Sequence, residues 1–471
     1  MVEDLSISAV EGAVEAVLSH DGPVIVDFDE TLYLRNSTED FIDAAAPGLL
    51  GRLVCAVVGV ARPWALLGGQ KTRDVWRVRI ASLFPGAMRR WQRRAAELAD
   101  TEVNREVAAV LQQRPDAIVA TLGFDRVVRP LLENMGFGSQ RLIACRMGSL
   151  RDRQAGKLAL VRAALGQEAV SRSAVLTDSM DDADLLDASA RPALVKWSEA
   201  RFVPAHSGVY LPLEYTHRVK RPGLNFVQRS ILGDDYMLWL VASIVIAAAP
   251  FPHVVGMLLL SLSFWTIYEL GYVDNDRVGE RFEAAPTLTA EYHDVPVATS
   301  VVQAWIWAVL LGVAGVAVVE QSFAPSFSSL LAWKAVLIAT FGVYLLYNRV
   351  DKSTRIWLYA LLQLARAAAF LVVVPVTAFG AMAIAAHALS RWFVYFIYRT
   401  IKRGWPMEIS ANIIRLVVFG LAAAPLAATV ETDKAGLLTA GLIVVWFAFR
   451  SGPRLADIIF NAKFITSKPE L

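Results

Sequence analysis

The residues best suited to chemistry lie near the start of the chain, in Val24-Ile25-Val26-Asp27-Phe28-Asp29-Glu30-Thr31. An apolar run of strand type delivers Asp27 and Asp29 into a turn. In an extended chain that spacing puts both carboxylates on the same side. Adjacent carboxylates at a strand end can hold a divalent cation, and one of them can attack phosphorus. Three further pieces follow in order. Thr121 ends the run Ala117-Ile118-Val119-Ala120, Lys157 sits in Gly156-Lys157-Leu158, and Thr177-Asp178-Ser179-Met180-Asp181-Asp182 closes another apolar run. Taken singly, each has an ordinary reading as a turn residue or a solvated helix lysine. A second group lies far downstream. Asn275, Asp276 and Glu280 end a long apolar stretch, and Asp276 and Glu280 are spaced to share one face of a helix. Carboxylates at the end of a membrane span suit a Mg²⁺–diphosphate complex; ordinary loop solvation is the alternative.

Two compositional regimes must position these groups. The 471 residues are 55% hydrophobic and 19% charged, but the charge is concentrated in the first part. Residues 1–205 read as an α/β domain. Strands are expected at 23–28, 117–120, 141–145, 174–176 and 193–195, with helices at 8–19 and between the strands, and a helical cap over about 34–110. Residues 206–235 read as a basic juxtamembrane linker, with Lys220 and Arg221 before the first span. Residues 236–471 read as an all-α membrane domain of about eight or nine helices. Candidate spans are 236–253, 254–272, 298–319, 327–348, 356–376, 377–397, 411–430 and 434–450. Basic residues cluster in alternate connections: Arg277 and Arg281, then Arg349, Lys352 and Arg355, then Arg399, Lys402 and Arg403, then Arg450 and Arg454. With the N-terminal domain inside, all of them are cytoplasmic, in an inner-membrane protein whose sites both face the cytoplasm.

Composition narrows the function classes. A net charge of +2 argues against nucleic acid as a partner, and two cysteines, Cys55 and Cys145, give no disulfide framework. The first residues lack the basic and apolar regions of a signal peptide. The apolar run Leu49–Ala61, interrupted by Arg52 and followed by Arg62-Pro63, reads as core helix of the cap or as an interfacial helix at a membrane. Arg366 falls mid-span and marks either a phosphate contact or a structural pair with Glu269. Lys334, nearer a span end, can snorkel. His387 and Arg391 receive no assignment.

The ordered set Asp27–Thr31, Thr121, Lys157 and Thr177–Asp182 resembles the haloacid dehalogenase superfamily, in particular its phosphoserine-phosphatase-like branch, over about residues 20–200. That resemblance implies a Rossmann-like domain with a helical cap. It makes Asp27 the nucleophile and Asp29 the acid and base. Thr121 and Lys157 would act on the phosphoryl group. Mg²⁺ would be held by Asp27, Asp178 and the carbonyl of Asp29, with Asp182 or Asp181 in support.

The downstream group resembles the UbiA superfamily of intramembrane prenyltransferases over about residues 215–455. Its carriers are Asn275-Asp276 with Glu280, then Tyr347-Asn348-Arg349 with Lys352, and the basic run before the first span. Gly279 stands where that family usually has an aspartate, and the loop after the sixth span lacks its second aspartate cluster. The resemblance implies Mg²⁺ at Asn275, Asp276 and Glu280, and substrate contacts from Lys220, Arg221, Tyr347, Arg349, Lys352 and Arg366. Some such enzymes transfer phosphoribose from phosphoribosyl diphosphate to a polyprenyl phosphate. The expected partners are therefore a polyprenyl phosphate and a phosphorylated sugar donor. A fused phosphatase then removes the 5-phosphate. The alternatives are a prenyltransferase using a prenyl diphosphate, and a membrane-tethered lipid-phosphate phosphatase.

Overall fold

Val24–Asp27 forms strand β1, and all of its residues are buried. A strand with no exposed face must be central, so an unbroken apolar run is what its position requires. It is flanked by Ile118–Phe124 (β2) on one side and Ala174–Thr177 (β4) on the other. Arg141–Cys145 (β3) pairs outside β2, and Arg191–Leu194 (β5) outside β4. The sheet is parallel throughout, in the order β3-β2-β1-β4-β5. Register places Asp27 beside Ala120, so the carboxyl ends of β1, β2 and β4 open into one crevice. Open α/β sheets bind ligands there.

The computed structural model describes residues 10–401, 410–429 and 433–461. The chain divides into two compact units, one ending at Val209 and the other beginning at Tyr210. In the first, a helical insertion follows β1: Ser37–Ala45, Gly48–Ala61, Pro63–Leu66, Arg73–Ser82, Ala87–Thr101 and Arg105–Gln113. Asn36 and Asn104 cap two of these helices with their side-chain oxygens. Each satisfies N–H groups the helix leaves unpaired. The Asn104 amide also donates to the Thr31 carbonyl at 3.0 Å, tying the end of the insertion back to the turn after β1. Trp91 is fully buried, packs edge-on to Phe41, and donates to the Val127 carbonyl at 3.0 Å.

The second unit is helical. The segment expected as a linker is built into it: Tyr210 and Leu213 are buried in its core. The cause is Glu269. Its buried carboxylate accepts from the Tyr210 hydroxyl at 2.6 Å and from the backbone N–H groups of Leu213 and Thr216 at 3.0 and 2.6 Å. Seven helices among the described residues are long and apolar enough to cross a membrane. One of them, Gly48–Leu66, lies in the first unit; the others are in the second. A shorter apolar helix, Ile356–Val372, stands where the fifth span was expected. The first expected span is π-helical over Val227–Tyr236, α-helical over Met237–Ser243 and ends in a 3₁₀ turn. The break before the second span falls at 247–249, earlier than the sequence suggested, and the next helix runs from Pro250 to Phe282. Proline at the first helical position needs no N–H partner, so Pro250 starts a helix and cannot continue one. That helix lies close against Phe327–Arg349: a Cβ on Gly271 would sit 2.2 Å from the Tyr344 ring. Lys402 and Arg403 lie outside the described residues.

Trp91→Ala is expected to destabilise the first unit by about 3–5 kcal/mol. Differential scanning fluorimetry of the solubilised protein should show a lowered transition. An unchanged melt would mean that Trp91 does not tie the insertion to the sheet.

Candidate active sites

Asp27 ends β1, where its buried carboxylate meets three donors. One oxygen accepts from the Phe28 N–H and the Lys157 ammonium, both at 2.7 Å; the other lies 3.0 Å from the Thr177 hydroxyl. Lys157 opens the helix Lys157–Leu165 and also reaches Asp182 at 2.5 Å. Thr177 lies 2.7 Å from the same Asp182 oxygen. Two carboxylates therefore share one ammonium and one hydroxyl. Burial pushes Asp27 up to about 7; Lys157 pulls the other way, and Asp182 and Asp178 add to the rise. Burial works against the Lys157 charge, but Asp27 and Asp182 more than offset it, so its pKa lies above the ordinary lysine value.

Asp29 accepts from the Ser37 N–H at 2.6 Å and from the Thr121 hydroxyl at 3.1 Å. Ser37 begins a helix, whose free N–H groups favour a carboxylate. Burial still raises the Asp29 pKa, with the Ser37 and Thr121 hydrogen bonds opposing it. Thr121 sits within β2 and accepts in turn from the Gly123 N–H at 2.8 Å. Thr31 fixes Asp178 by a reciprocal pair: its hydroxyl donates to the carboxylate at 3.0 Å and accepts from the Asp178 N–H at 3.1 Å. Between Asp29 and Thr31, Glu30 turns the chain with φ at 59°.

These groups line a cavity of about 240 Å³ that contains Asp27, Asp29, Glu30, Thr121, Lys157, Asp178, Asp181 and Asp182. Asp74 and Arg153 of its wall were not anticipated. Arg153 pairs with Asp74 at 2.7 Å and donates to the Leu122 carbonyl at 2.7 Å. Neither carries a sequence signal, because only the folded insertion brings Asp74 here. Among the described residues, no three His, Cys, Asp or Glu side chains converge into a ready metal cage. Carboxylates nevertheless outnumber the two cations of the lining, Lys157 and Arg153. That excess of hard, anionic oxygen suits Mg²⁺, which is usually held by one or two carboxylates and keeps several waters.

Residues 24–187 match the haloacid dehalogenase-like hydrolase family. Comparisons with curated proteins and with solved structures return no match. The match spans β1 to the helix Ala183–Ala188. It thus contains the cavity, the insertion and the Lys157 helix of a haloacid dehalogenase-like hydrolase domain, and supports a phosphatase reading.

A separate cavity of about 350 Å³ lies within the second unit. Among the described residues, its wall brings together Lys220, Arg221, Lys352, Arg355, Arg366 and Arg399 with two carboxylates, Asp276 and Glu283. Asn275 and Tyr347 also line it. Asp276 accepts from the Tyr215 hydroxyl at 2.8 Å and from Lys220 at 2.5 Å. Asn275 donates to Asn348 at 3.0 Å. Lys352 pairs with Glu283 at 2.5 Å. The Arg355 guanidinium stacks over Tyr347 at 4.6 Å.

Two expected members of this site lie elsewhere. Glu280 sits 3.0 Å from the Tyr292 hydroxyl and 3.8 Å from His293, and does not line the cavity. Gly279 and Glu283 occupy the wall instead, because the inward face of the helix passes through 276, 279 and 283. Arg349 pairs with Asp274 at 2.9 Å in a neighbouring cleft. Asn275 and Asp276 therefore face one cavity and Glu280 another, and the three do not converge on one metal site.

Arg366 pairs with Asp235 at 2.7 Å, not with Glu269, whose oxygens are taken up by residues 210–216. Its guanidinium also faces the Trp265 and Tyr268 rings at 4.9 and 5.5 Å. The unassigned His387 and Arg391 join the same region, His387 beside Asp235 at 3.4 Å and Arg391 on Asp234 at 2.6 Å.

Lys157→Met is expected to cut turnover of a soluble phosphomonoester by about 10²–10³-fold, with circular dichroism unchanged. Retained turnover would remove Lys157 from the site. In the second unit, Arg366→Met alone should cost about 3–5 kcal/mol by leaving Asp235 buried and unpaired, and Asp235→Leu added to it should restore much of that loss. Thermal denaturation of both variants measures it.

Proposed function

We propose that the chain is a two-step membrane enzyme of cell-envelope precursor synthesis. Its second unit transfers phosphoribose from phosphoribosyl diphosphate to a polyprenyl phosphate. Its first unit then removes the 5-phosphate of the lipid-linked product. The observation that carries this reading is a pair of cavities of complementary chemistry on one chain. One is carboxylate-rich around the Asp27–Lys157 contact; the other is lined by six cations.

In the first cavity, Asp27 attacks phosphorus and takes up the phosphoryl group, while Asp29 gives its proton to the leaving sugar oxygen. Asp29 then takes a proton from water as that water attacks phosphorus and frees Asp27. The raised pKa of Asp29 suits the first of these roles. Lys157 offsets charge on the phosphoryl oxygens, and Thr121 hydrogen-bonds to them. Mg²⁺, held by Asp27, Asp178 and the Asp29 carbonyl with Asp182 in support, would supply electrostatic stabilisation of the transferring phosphoryl group.

In the second cavity, Lys220, Arg221, Lys352 and Arg355 bind the phosphates of donor and lipid. Asp276 holds Lys220 in place. Both sites face the cytoplasm of an inner-membrane protein under this reading. Its support is that Lys220, Lys352, Arg355 and Arg399, which come from different connections and helix ends, line one cavity.

Asp27→Asn is expected to abolish phosphomonoester hydrolysis and to let a lipid-linked sugar 5-phosphate accumulate from labelled phosphoribosyl diphosphate, as should chelation of Mg²⁺. Asp276→Ala should stop lipid labelling and leave soluble phosphomonoester hydrolysis intact. Labelling of an aromatic acceptor by a prenyl diphosphate would favour a prenyltransferase. Hydrolysis with no transfer of any kind would reduce the second unit to a lipid-binding platform.

A further inference from the structure

The helix Gly48–Ala61 carries an apolar stripe that no described residue of its own unit covers. Leu49, Leu50, Leu53, Val57 and Val60 lie along one face, and the last two are 66% and 85% exposed. The short helix Pro63–Leu66 extends the patch with Leu66, 86% exposed, and Leu67 follows at 59%. Surfaces of this kind mark binding sites. The opposite side is fixed: Val58 and Trp64 are buried and Cys55 packs on the core of the domain.

We propose that this face docks on a lipid bilayer, lying in the boundary between headgroups and acyl chains. The segment is apolar enough to rank with the membrane-crossing helices of the chain. Counted through Leu66 it is long enough to cross, but it is not one straight helix. Its regular part has 14 residues, about 21 Å against the ~30 Å of hydrocarbon, and it turns sharply at Arg62, where φ is 46°. Charge supports a lipid partner over a protein one. From residue 44 to residue 73 there is no carboxylate side chain, while Arg52, Arg62, Lys71 and Arg73 are all cationic. Apolar side chains set among cations suit a surface of anionic lipid. The chain also continues from Val209 directly into a membrane unit, which keeps the first unit close to a bilayer.

The patch adjoins the hydrolase cavity. The Gly68 carbonyl accepts from Gln154 at 3.0 Å and the Lys71 carbonyl from Arg153 at 3.4 Å, and Arg153 lines that cavity. Docking would therefore present the cavity to a phosphate carried by a lipid. This last step rests on the phosphatase reading above; the docking itself does not.

The test uses the full chain with Cys55→Ala and Cys145→Ala, in vesicles of phosphatidylcholine and phosphatidylglycerol. A bimane label is placed through Val60→Cys or Leu66→Cys. Docking predicts quenching by doxyl-labelled lipid about twofold or more above quenching by aqueous iodide. Quenching by iodide alone would mean a solvated face and overturn the proposal. Protection from both would mean that protein covers the face, this chain or a second copy, and would overturn it too. A Leu50→Glu, Val57→Glu, Val60→Glu variant should lose about tenfold or more in hydrolysis of phosphatidic acid in vesicles. Its turnover of a soluble phosphomonoester should stay unchanged. An equal loss on both substrates would argue against docking. Doxyl quenching with no hydrolysis of either substrate would uphold docking and refute the phosphatase reading.

Discussion

A single ammonium group shared by two buried carboxylates organises the N-terminal unit. Lys157 comes from a helix after β3, Asp27 from β1 and Asp182 from the turn after β4. Removing Lys157 leaves two neighbouring carboxylates with no cation between them, in a place with little water to solvate them. The pairing of β1 with β4 brings the ends of these two strands level, so that Asp27 and Asp182 meet the same ammonium. The helical insertion adds Asp74 to the wall, so the crevice that an open parallel sheet offers becomes an acidic one.

The membrane unit meets the same constraint with the signs reversed. Asp234 and Asp235 lie at the junction of π- and α-helix and pair with arginines from several helices: Arg366, Arg391, Arg415 and Arg450. The neighbouring cavity keeps an excess of cations. Glu269 is satisfied in another way, by backbone N–H groups, and so fixes the entry of the chain into the unit. Buried charge in both units is held by fixed partners within the protein.

Much of the α/β unit was legible because its signals are local. A buried parallel strand must be an apolar run, and the aspartates follow it directly in sequence. Thr121, Lys157 and Asp178 stand in a set order relative to those runs, and the fold brings all three to the wall of one cavity. Arg153 and Asp74 carry no such signal, since they meet only through the folded insertion. In the membrane unit the apolar stretches gave the helices, but side-chain partners were harder. The choice between Glu280 and Glu283 depends on the exact rotation of a long helix. The Arg366 partner, Asp235, lies in a segment read as the start of a span, where sequence offers no reason to prefer it over Glu269. The break at Pro250 was misplaced because the apolar run continues through it.

The bond between Asp29 and the Ser37 N–H joins a proton-carrying carboxyl to the first turn of the insertion. That N–H lowers the proton affinity of Asp29. The same N–H belongs to the buried first turn of the helix Ser37–Ala45, so the seat of that helix and the proton affinity of Asp29 are set by one bond. A carboxyl and a helix start eight residues apart thus share a single proton balance, and a change in the packing of the insertion would be felt as a change in the acidity of Asp29.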